Sequence, residues 1–308
     1  MPPFIRVPAD APLRLLTVHA HPDDEASKGA STVAQLHSEG VHCVLVCCTG
    51  GEAGDVLNPA MDVPEVHADL PGVREAELAR AAEIVGYDEV VMLGYRDSGM
   101  KDSEHNARAD AFANADQDEA VGRLVAIIRR VRPQVVVTYP DARGEYDHPD
   151  HVQVHDISVP AFHAAGDPGR YPEAGPAWQP SKLYYTMWSR ARIAGLHEKF
   201  RELGIESPYD EWWFKRPSRD HLITTQVPIG EHWDVRGDAL RAHATQIDPA
   251  SPFWFGLPDD VARTVHPFDD YRLAACCVDG RPVDSSTYLP SGGLEEDLFA
   301  GLRAEVSA

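Results

Sequence analysis

Apolar residues recur along the first half of the chain in two alternating patterns. Short runs rich in Val, Leu and Cys are typical of buried strands, and the segments between them carry apolar residues at helical spacing. Gly40 and Gly86 each follow a predicted helix at the position where helices commonly end. The predicted strands are 13–18, 41–49, 89–93 and 134–139, and the predicted helices are 25–39, 73–85 and 119–131.

This alternation predicts an α/β fold built on a doubly wound, mostly parallel, Rossmann-like sheet. Strands that are apolar along their whole length are typical of a sheet whose two faces are both covered by helices. Right-handed crossovers through those helices keep the strands parallel. Sheets of this kind bind ligands at the carboxyl ends of their strands, so we expect functional residues in the loops that follow strands.

The pattern is less regular beyond Pro140. It predicts strands at 182–187 and 221–227, and helices at 152–165, 191–203 and 235–246. Residues 166–180, rich in Pro and Gly, are the best candidate for a boundary but are equally compatible with a long functional loop. Because no repeat or linker is present, we expect one domain over residues 1–308, with a core at about 13–165 and a C-terminal elaboration at about 181–277.

The chain is strongly acidic. It has 28 Lys and Arg residues against 49 Asp and Glu residues, which gives a formal net charge of −21. A surface of that sign repels nucleic acids and anionic lipids, so we expect neither nucleic acid nor membrane as a partner. No apolar stretch approaches the roughly 18 residues that span a bilayer, and the first residues lack the pattern of a signal peptide. We therefore expect a cytoplasmic protein.

The five cysteines lie in apolar, strand-like runs. Their number is odd, and they lack the C-x-x-C spacing of zinc knuckles and redox motifs. We therefore expect buried free thiols and no disulfide framework.

The first cluster of candidate functional residues, HAHPDDE, follows the first predicted strand. A dinucleotide-binding fold would carry a glycine-rich loop here, and three consecutive carboxylates would repel a pyrophosphate. His and Asp side chains instead suit a divalent cation such as Zn²⁺. The alternative is that Asp23 or Asp24 caps the next helix and that His21 is a turn residue. We interpret His19 as a packed or hydrogen-bonded strand residue.

The second cluster, YDHPDH, follows the fourth predicted strand. A lone H-P-D-H is compatible with a loop of exposed histidines, but both clusters here lie at the same edge of one parallel sheet. Together they supply three ligands and leave one position for water, as in a catalytic zinc site. Asp23 is then a candidate base, and His148 could polarise the carbonyl or protonate the amine. Asp150 is a candidate for orienting a histidine.

These residues resemble the LmbE-like (PIG-L) deacetylase family, whose signatures A-H-P-D-D-E and H-P-D-H are both matched in full. The resemblance implies an LmbE-like fold and a zinc ion held by His21, Asp24 and His151. It implies that Asp23 is the general base and that His148, supported by Asp150, stabilises the oxyanion or acts as an acid. Tyr146 matches a mobile tyrosine beside the site.

Within the family, the chain is most similar to the amidases that act on mycothiol S-conjugates, over about residues 13–275. The shared segments include TGGEAGDVLNPAMD, RDSGM, SKLYYTMW and LRAHATQIDP. Lys28 matches a residue implicated in recognising the conjugate, and Arg74 and Asp97 match residues that hold sugar and inositol hydroxyls. The respective alternatives are a solvated lysine, a helix salt bridge and an aspartate that shapes a turn.

Two further residues are candidates for the substrate pocket. Glu52 either lines the pocket or caps a local turn, and His243 either reaches the pocket or is a hydrogen-bonded helix histidine. The chain departs from the family pattern at Glu145, at Asp147 and in the polar stretch 101–117. An extra carboxylate beside a metal would change the metal affinity or the pH optimum.

The resemblance implies hydrolysis of the amide between the cysteinyl acyl group and the glucosamine amine of a mycothiol S-conjugate, a small thiol-conjugate substrate. Zn²⁺, one per chain, is the implied cofactor, with Fe²⁺ as an alternative in cells. Two alternatives share this chemistry: deacetylation of N-acetylglucosaminyl-inositol, and cleavage of a conjugate in antibiotic biosynthesis. A nucleotide-binding module is disfavoured by the missing G-x-G-x-x-G, and a metal-dependent nuclease by the negative charge. The sequence leaves the oligomeric state open, a homo-oligomer included.

Overall fold

One mixed β-sheet forms the centre of the protein. The computed structural model describes residues 12–143, 146, 148–277, 283–284 and 294–303. The strands of this part of the chain are β1 (Arg14–His19), β2 (His42–Thr49), β3 (Glu89–Tyr95), β4 (Val135–Thr138), β5 (Lys182–Met187), β6 (Thr225–Pro228), β7 (Phe268–Cys276) and β8 (Val283–Asp284). Their order across the sheet is β3-β2-β1-β4-β5-β7-β6, and β8 pairs with β7.

The first five strands are parallel, and β7 runs antiparallel to its neighbours β5, β6 and β8. The predicted doubly wound, mostly parallel α/β sheet is therefore confirmed. The strand order reverses direction between β1 and β4, which are neighbours in the sheet. A crevice opens at such a switch point because the connections leaving the two strands diverge, so ligands of doubly wound sheets bind there.

Helices cover both faces of the sheet. They are α1 (Asp24–Ser27), α2 (Ala30–Ser38), α3 (Pro64–Ala68), α4 (Leu70–Val85), α5 (Gln117–Val131), α6 (Pro149–Ala165), α7 (Arg190–Glu202), α8 (Glu211–Lys215), α9 (Trp233–Ala242), α10 (Pro252–Phe255) and α11 (Asp259–Val265). Helices α5 and α6 bury Leu16 and Val18 of β1, whereas Leu15 is buried on the other face with α2, α4 and α9. Consecutive side chains of a strand point to opposite faces, which is why β1 is apolar along its length.

The helix predicted over 25–39 is broken into α1 and α2 at Gly29. Gly29 has a φ of 95°, a left-handed conformation that residues with a side chain rarely adopt. A Cβ at this position would also lie 2.6 Å from the hydroxyl oxygen of Tyr271 in β7. The prediction of one continuous helix is therefore wrong, because a side chain from a distant strand occupies the space beside the break.

The C-terminal part departs most from the predicted elements. The strand predicted over 221–227 is wrong in its first half, because a 3₁₀ turn occupies Asp220–Leu222 and β6 begins only at Thr225. The sequence pattern also fails to predict β7, which carries the buried aspartates Asp269 and Asp270. Their carboxylates are satisfied by distant side chains, since Asp269 accepts a hydrogen bond from the Thr32 hydroxyl at 2.9 Å. Such partners leave no local signature in the sequence.

The polar stretch 101–117 and the Pro/Gly-rich stretch 166–180 are both anchored to the fold. Phe112 in the first is fully buried in the core on the α5–α6 face. Trp178 in the second is buried and donates its indole N–H to the carbonyl oxygen of Pro133 at 2.7 Å. The Arg129 guanidinium donates to the carbonyl oxygens of Tyr171 and Gly175. The division into a core and an elaboration of one domain stays a prediction.

The cysteines are free thiols, as expected. Four are buried, and Cys277 is half-buried. Burial raises the pKa of the Cys43 thiol to about 12. Within the described part of the chain, no helix combines the length and the apolar character needed to cross a membrane.

Candidate metal centre

The two predicted clusters meet at the carboxyl ends of β1 and β4. His21 follows β1, Asp24 is the first residue of α1, and His151 lies in the first turn of α6. One ligand atom from each of these residues lies within 4.8 Å of the others. We call these three residues the candidate metal centre.

The spacing of the ligand atoms fits a tetrahedral cation. Asp24 Oδ2 lies 3.5 Å from His21 Nδ1 and 3.3 Å from His151 Nε2. Ligands at zinc bond lengths and tetrahedral angles are about 3.3 Å apart, so a single ion could contact all three atoms. Two imidazoles and a carboxylate are also a donor set that zinc accepts. The residues present therefore fit a divalent cation.

Asp150 holds His21 in the orientation that a ligand needs. Its buried carboxylate lies 3.1 Å from His21 Nε2 and accepts from the backbone N–H of Ser98 at 2.9 Å and from the Ser98 hydroxyl. Because a carboxylate accepts, Nε2 carries the proton, and the free Nδ1 faces Asp24. Sequence reasoning identified Asp150 but missed Ser98, although its position just after β3, at the same sheet edge, was a usable signal.

The three candidate ligands differ in their preferred protonation. Burial disfavours a charge on His21, but hydrogen bonds with Asp150, Asp24 and Asp97 outweigh it and raise the His21 pKa well above its ordinary value. Burial lowers the pKa of His151, which keeps its ring neutral, as a metal ligand requires. Burial would raise the Asp24 pKa, but the charges of His151 and Lys28 hold it well below its usual range.

Lys28 points into the site and not into solvent. Its ammonium group contacts the second carboxylate oxygen of Asp24, Oδ1, and lies 5.5 Å from the centre of the Tyr139 ring. The solvated-lysine alternative therefore does not describe its position. Its predicted contact with substrate stays a prediction.

Asp23 sits beside the candidate ligands in a strained backbone conformation. Its φ of 110° is rare for a residue with a side chain and costs of the order of 1–3 kcal/mol. Its N–H donates to Glu25 Oε2 at 2.9 Å, and Arg74 Nη2 lies 3.3 Å from its carboxylate. Burial, followed by the charge of Asp24, raises the Asp23 pKa to about 6. A carboxyl group with that pKa is ionised at neutral pH and can accept a proton.

Two partners of Asp23 are themselves anchored behind it. Arg74 in α4 is buried and donates to the carbonyl oxygens of Pro22 and Gly51, each at 2.6 Å. His243, at the end of α9, is fully buried, and its Nε2 lies 2.5 Å from Glu25 Oε1. His243 thus matches the hydrogen-bonded helix histidine of the two alternatives. Arg74 therefore contacts Asp23 and the loops that follow β1 and β2. This is not the helix salt bridge of the alternative interpretation.

His148 caps the first turn of α6. Its Nδ1 accepts the backbone N–H of Asp150 at 3.2 Å, so in the neutral ring the proton resides on Nε2. Burial and the neighbouring His21 and His151 lower the His148 pKa to about 3. His148 is therefore a neutral hydrogen-bond donor at physiological pH, and its ring centre lies 4.5 Å from that of His21.

Asp97 and Glu52 connect the loops that follow β3 and β2. Asp97 accepts the N–H groups of Gly99 at 2.8 Å and Ala53 at 3.2 Å, and its Oδ1 lies 3.6 Å from His21 Nε2. Glu52 accepts the N–H of Asp97 at 3.0 Å. Asp97 thus shapes its turn and also faces the candidate metal centre, where it forms a second possible ligand group with His21 and His148.

Two tyrosines pack against His151. The buried Tyr139, missed by sequence reasoning although it ends the predicted fourth strand, stacks on His151 with ring centres 4.7 Å apart. Its hydroxyl lies 3.0 Å from Nδ1 of His19, which is buried and hydrogen-bonded as expected. Tyr146 lies edge-on to His151 at 4.9 Å and is 47% exposed at the mouth of the site. Glu145 and Asp147 lie outside the described residues.

Two of the similar known proteins have names that describe different activities. "Mycothiol S-conjugate amidase" of Streptomyces coelicolor is 42% identical over 300 residues, which cover 94% of this chain and 98% of the relative. "1D-myo-inositol 2-acetamido-2-deoxy-alpha-D-glucopyranoside deacetylase" of Geodermatophilus obscurus is also 42% identical, over 301 residues, with coverage of 94% and 98%. Overall identity therefore does not separate the two activities.

Similar solved structures support the fold. The N,N'-diacetylchitobiose deacetylase from Pyrococcus horikoshii has a TM-score of 0.56 at 17% identity and covers 91% of this chain and 87% of its own. The 4-carboxy-2-hydroxymuconate hydratase GalB from Pseudomonas putida has a TM-score of 0.55 at 17% identity, covering 85% and 95%. One architecture thus carries two reaction types, so the fold alone does not assign the reaction.

The family assignment is consistent across these comparisons. The model of the PIG-L family, described as GlcNAc-PI de-N-acetylase, matches residues 16–162. That range contains both clusters and the candidate metal centre. The chain belongs to the PIG-L family and is an enzyme of that family.

Proposed function

We propose that this chain is a Zn²⁺-dependent amidase that cleaves mycothiol S-conjugates. Water would break the amide between the cysteinyl acyl group and the glucosamine amine, giving an N-acetylcysteine S-conjugate and glucosaminyl-inositol. The observation that carries the proposal is the spacing of His21, Asp24 and His151, whose ligand atoms lie 3.3–3.5 Å apart beside the ionisable Asp23. The similarity to the Streptomyces coelicolor amidase supports the choice of substrate.

The proposed roles divide between the ion and the chain. His21, Asp24 and His151 would hold one Zn²⁺ per chain, with Fe²⁺ as the alternative in cells. A bound divalent cation supplies Lewis-acid chemistry, which polarises a carbonyl group and acidifies water. Asp23 takes the proton of the attacking water and later delivers it to the leaving amine, so that the carboxylate is regenerated.

His148 supplies the donor for the developing oxyanion. Its Nδ1 is occupied by the backbone N–H of Asp150, so its Nε2–H is the group available to substrate. With a pKa of about 3 the ring carries no extra proton to transfer at neutral pH. Of the two roles that the sequence left open, the structure therefore favours hydrogen-bond donation over acid catalysis.

Exposed apolar side chains favour a conjugate over an acetyl group as the acyl part of the substrate. Leu57 is 60% exposed, Met100 56% and Tyr146 47%. They lie on the loops that follow β2, β3 and β4, the strand ends that surround the candidate metal centre. An apolar substituent on sulfur is the part of a conjugate that could pack on this apolar rim, and an acetyl group has no such part.

The nearest alternative is removal of acetate from N-acetylglucosaminyl-inositol. The same ligands, base and oxyanion donor would serve it, and the Geodermatophilus obscurus deacetylase is equally similar overall. Measuring kcat/KM for a fluorescent mycothiol adduct and for N-acetylglucosaminyl-inositol with one zinc-loaded preparation separates the two. We expect the adduct to be preferred at least tenfold, and an adduct left intact would refute the proposal.

The apolar rim gives a second, finer test. Met100→Ser and Leu57→Ser should lower kcat/KM by about fivefold for an adduct with a large aromatic substituent, because about 1 kcal/mol of apolar burial is lost. A methyl adduct should respond little. Leu203→Ser is the matched control, since Leu203 is 47% exposed but follows α7.

A further inference from the structure

A second cavity lies in the C-terminal part, among α7, α9, α10 and α11. It has a volume of about 410 Å³, which is in the range of small-molecule pockets, and none of the candidate ligands lines it. Its walls combine charged side chains with aromatic ones, which include Trp188, Phe200, Tyr209, Trp233, Phe253 and Trp254.

The aromatic wall is organised around Trp188. Its ring is nearly parallel to those of Phe253 and Trp213, with centres 6.0 Å and 6.3 Å away, and edge-on to Trp254 at 6.1 Å. Such an arrangement presents flat apolar surface at little conformational cost, because the rings are already held by one another.

Arg192 of α7 places a cation against this wall. Its guanidinium lies 5.1 Å from the centre of the Trp188 ring. Among the described residues, its side chain has no hydrogen-bond or ion-pair partner. Burial, followed by the charge of Arg236, lowers the Arg192 pKa to about 10, so the group remains charged at neutral pH.

Most of the other charged residues at or near the cavity form ion pairs with one another. Arg236 contacts Asp269, Arg263 lies 2.7 Å from Asp234, and Arg241 lies 3.3 Å from Asp238. Asp270 is paired with His266 at 2.8 Å. Asp259 lies on the exposed first turn of α11. Asp269 and Asp270 also act on Arg192 electrostatically, but their carboxylates are paired with Arg236 and His266, so within the described residues no carboxylate forms an ion pair with the Arg192 guanidinium.

We propose that this cavity binds an amphiphilic carboxylate, whose apolar body packs on the Trp188 wall and whose carboxylate pairs with Arg192. A guanidinium and a carboxylate form two parallel hydrogen bonds, which strengthen when aromatic walls exclude water. An N-acetylcysteine S-conjugate belongs to this chemical class, a link that rests on the proposed function. The binding experiment requires no catalysis, so the two proposals can fail separately.

The test is direct binding of 2-naphthylacetate to the full-length, metal-loaded protein, followed by calorimetry and by quenching of tryptophan fluorescence. We expect saturable binding, at least tenfold weaker for the uncharged 2-(2-naphthyl)ethanol. Arg192→Met should weaken binding of the carboxylate at least tenfold and leave the alcohol unaffected. Arg241→Met, which removes a paired arginine from the same cavity, is the matched control and should change binding less than twofold.

A second control separates this cavity from the candidate metal centre, where a carboxylate could also bind. Binding should persist in Asp24→Asn, and its loss there would overturn the proposal. Equal affinity for the acid and the alcohol, or an Arg192→Met protein that binds normally, would also overturn it. If Arg192→Met does not fold, Arg192→Lys keeps the charge but loses the paired donors, and its binding should fall about threefold to tenfold; unchanged binding contradicts the proposal.

Discussion

Buried charges are arranged differently at the two ends of the parallel strands. We call the side of the sheet where the amino ends of these strands lie the amino edge, and the opposite side the carboxyl edge. At the amino edge, Lys182 of β5 lies 2.9 Å from Glu295 Oε1, and the Tyr184 hydroxyl donates to Glu295 Oε2 at 2.8 Å. At the carboxyl edge, Asp24 Oδ2 and two histidine nitrogens, all of them ligand atoms, face one another at 3.3–3.5 Å.

The difference indicates which edge is built for a ligand. At the amino edge, a buried cation and a buried anion pair with each other, so this contact contributes to a defined structure. At the carboxyl edge, three possible ligand atoms converge on one point, and a divalent cation placed there would take the place of the proton that the raised pKa of His21 favours. We therefore expect substitutions at the two edges to separate stability from activity.

The largest effect is expected for Asp23→Asn. Without the base, turnover should fall about 10³-fold, within the usual range for removal of general base catalysis. Bound metal should stay near one per chain, as measured by elemental analysis, because Asp23 is not one of the three converging ligands. Asp24→Asn is the control and should lose the metal. Loss of metal from Asp23→Asn instead would show that base and ligand are exchanged.

Lys182→Met should act on stability and spare activity. It removes the Lys182 ammonium from the buried Glu295 carboxylate, which costs about 3 kcal/mol of unfolding free energy in denaturant titrations. Turnover per folded molecule should be unchanged. Adding Glu295→Gln should recover much of the loss, since the buried negative charge that Lys182 balances is then gone. A matching fall in turnover would mean that the two edges are not independent.

Chelation of the metal should lower stability through the carboxyl edge instead of the amino edge. An ion present at 100 times its dissociation constant stabilises the folded state by about 2.7 kcal/mol, so its removal should lower the unfolding free energy by that amount. Lys182→Met should show the same decrement on chelation as the unmodified chain. Asp24→Asn should show almost none, and a full decrement in that variant would place the ion elsewhere.

The smallest effect is expected for Glu25→Gln. Glu25 shares one feature with the amino-edge ion pair and another with the candidate metal centre. Its carboxylate is buried and paired with His243, as Glu295 is paired with Lys182, and its Oε2 also accepts the N–H of Asp23. Glutamine keeps one oxygen to accept the Asp23 N–H, and its NH2 group can donate to His243 Nε2 when that ring carries its proton on Nδ1. We therefore expect kcat to fall less than about tenfold and metal content not to change. Metal loss in this variant would assign Glu25 to the ligand cluster.

The parallel part of the fold and the meeting of the two loops were predictable from the sequence. Continuous apolar runs identify β1 to β5 within a few residues, since both faces of those strands are buried. The loops after β1 and β4 then fall at the same edge, which brings His21 and His151 together.

The partners of the supporting residues were not predictable, because these contacts join distant segments, even where the residue itself, such as His243 or Ser98, lay in a place that the sequence marks. Ser98 holds Asp150 across 52 residues, and His243 reaches Glu25 across 218. Neither contact has a periodic pattern or a motif. Strand β7 was missed for the same reason, since Asp269 and Asp270 make it look like a polar loop until their partners are in place.

The position of β7 has a consequence for how the chain is made. Strand β5 ends at Met187, but its second neighbour in the sheet is formed by Phe268–Cys276, about 80 residues later. While the ribosome is synthesising the intervening residues, β5 presents an open hydrogen-bonding edge that another nascent chain could pair with. Yield in the cell should therefore depend on chaperones that shield this edge until translation passes Cys276.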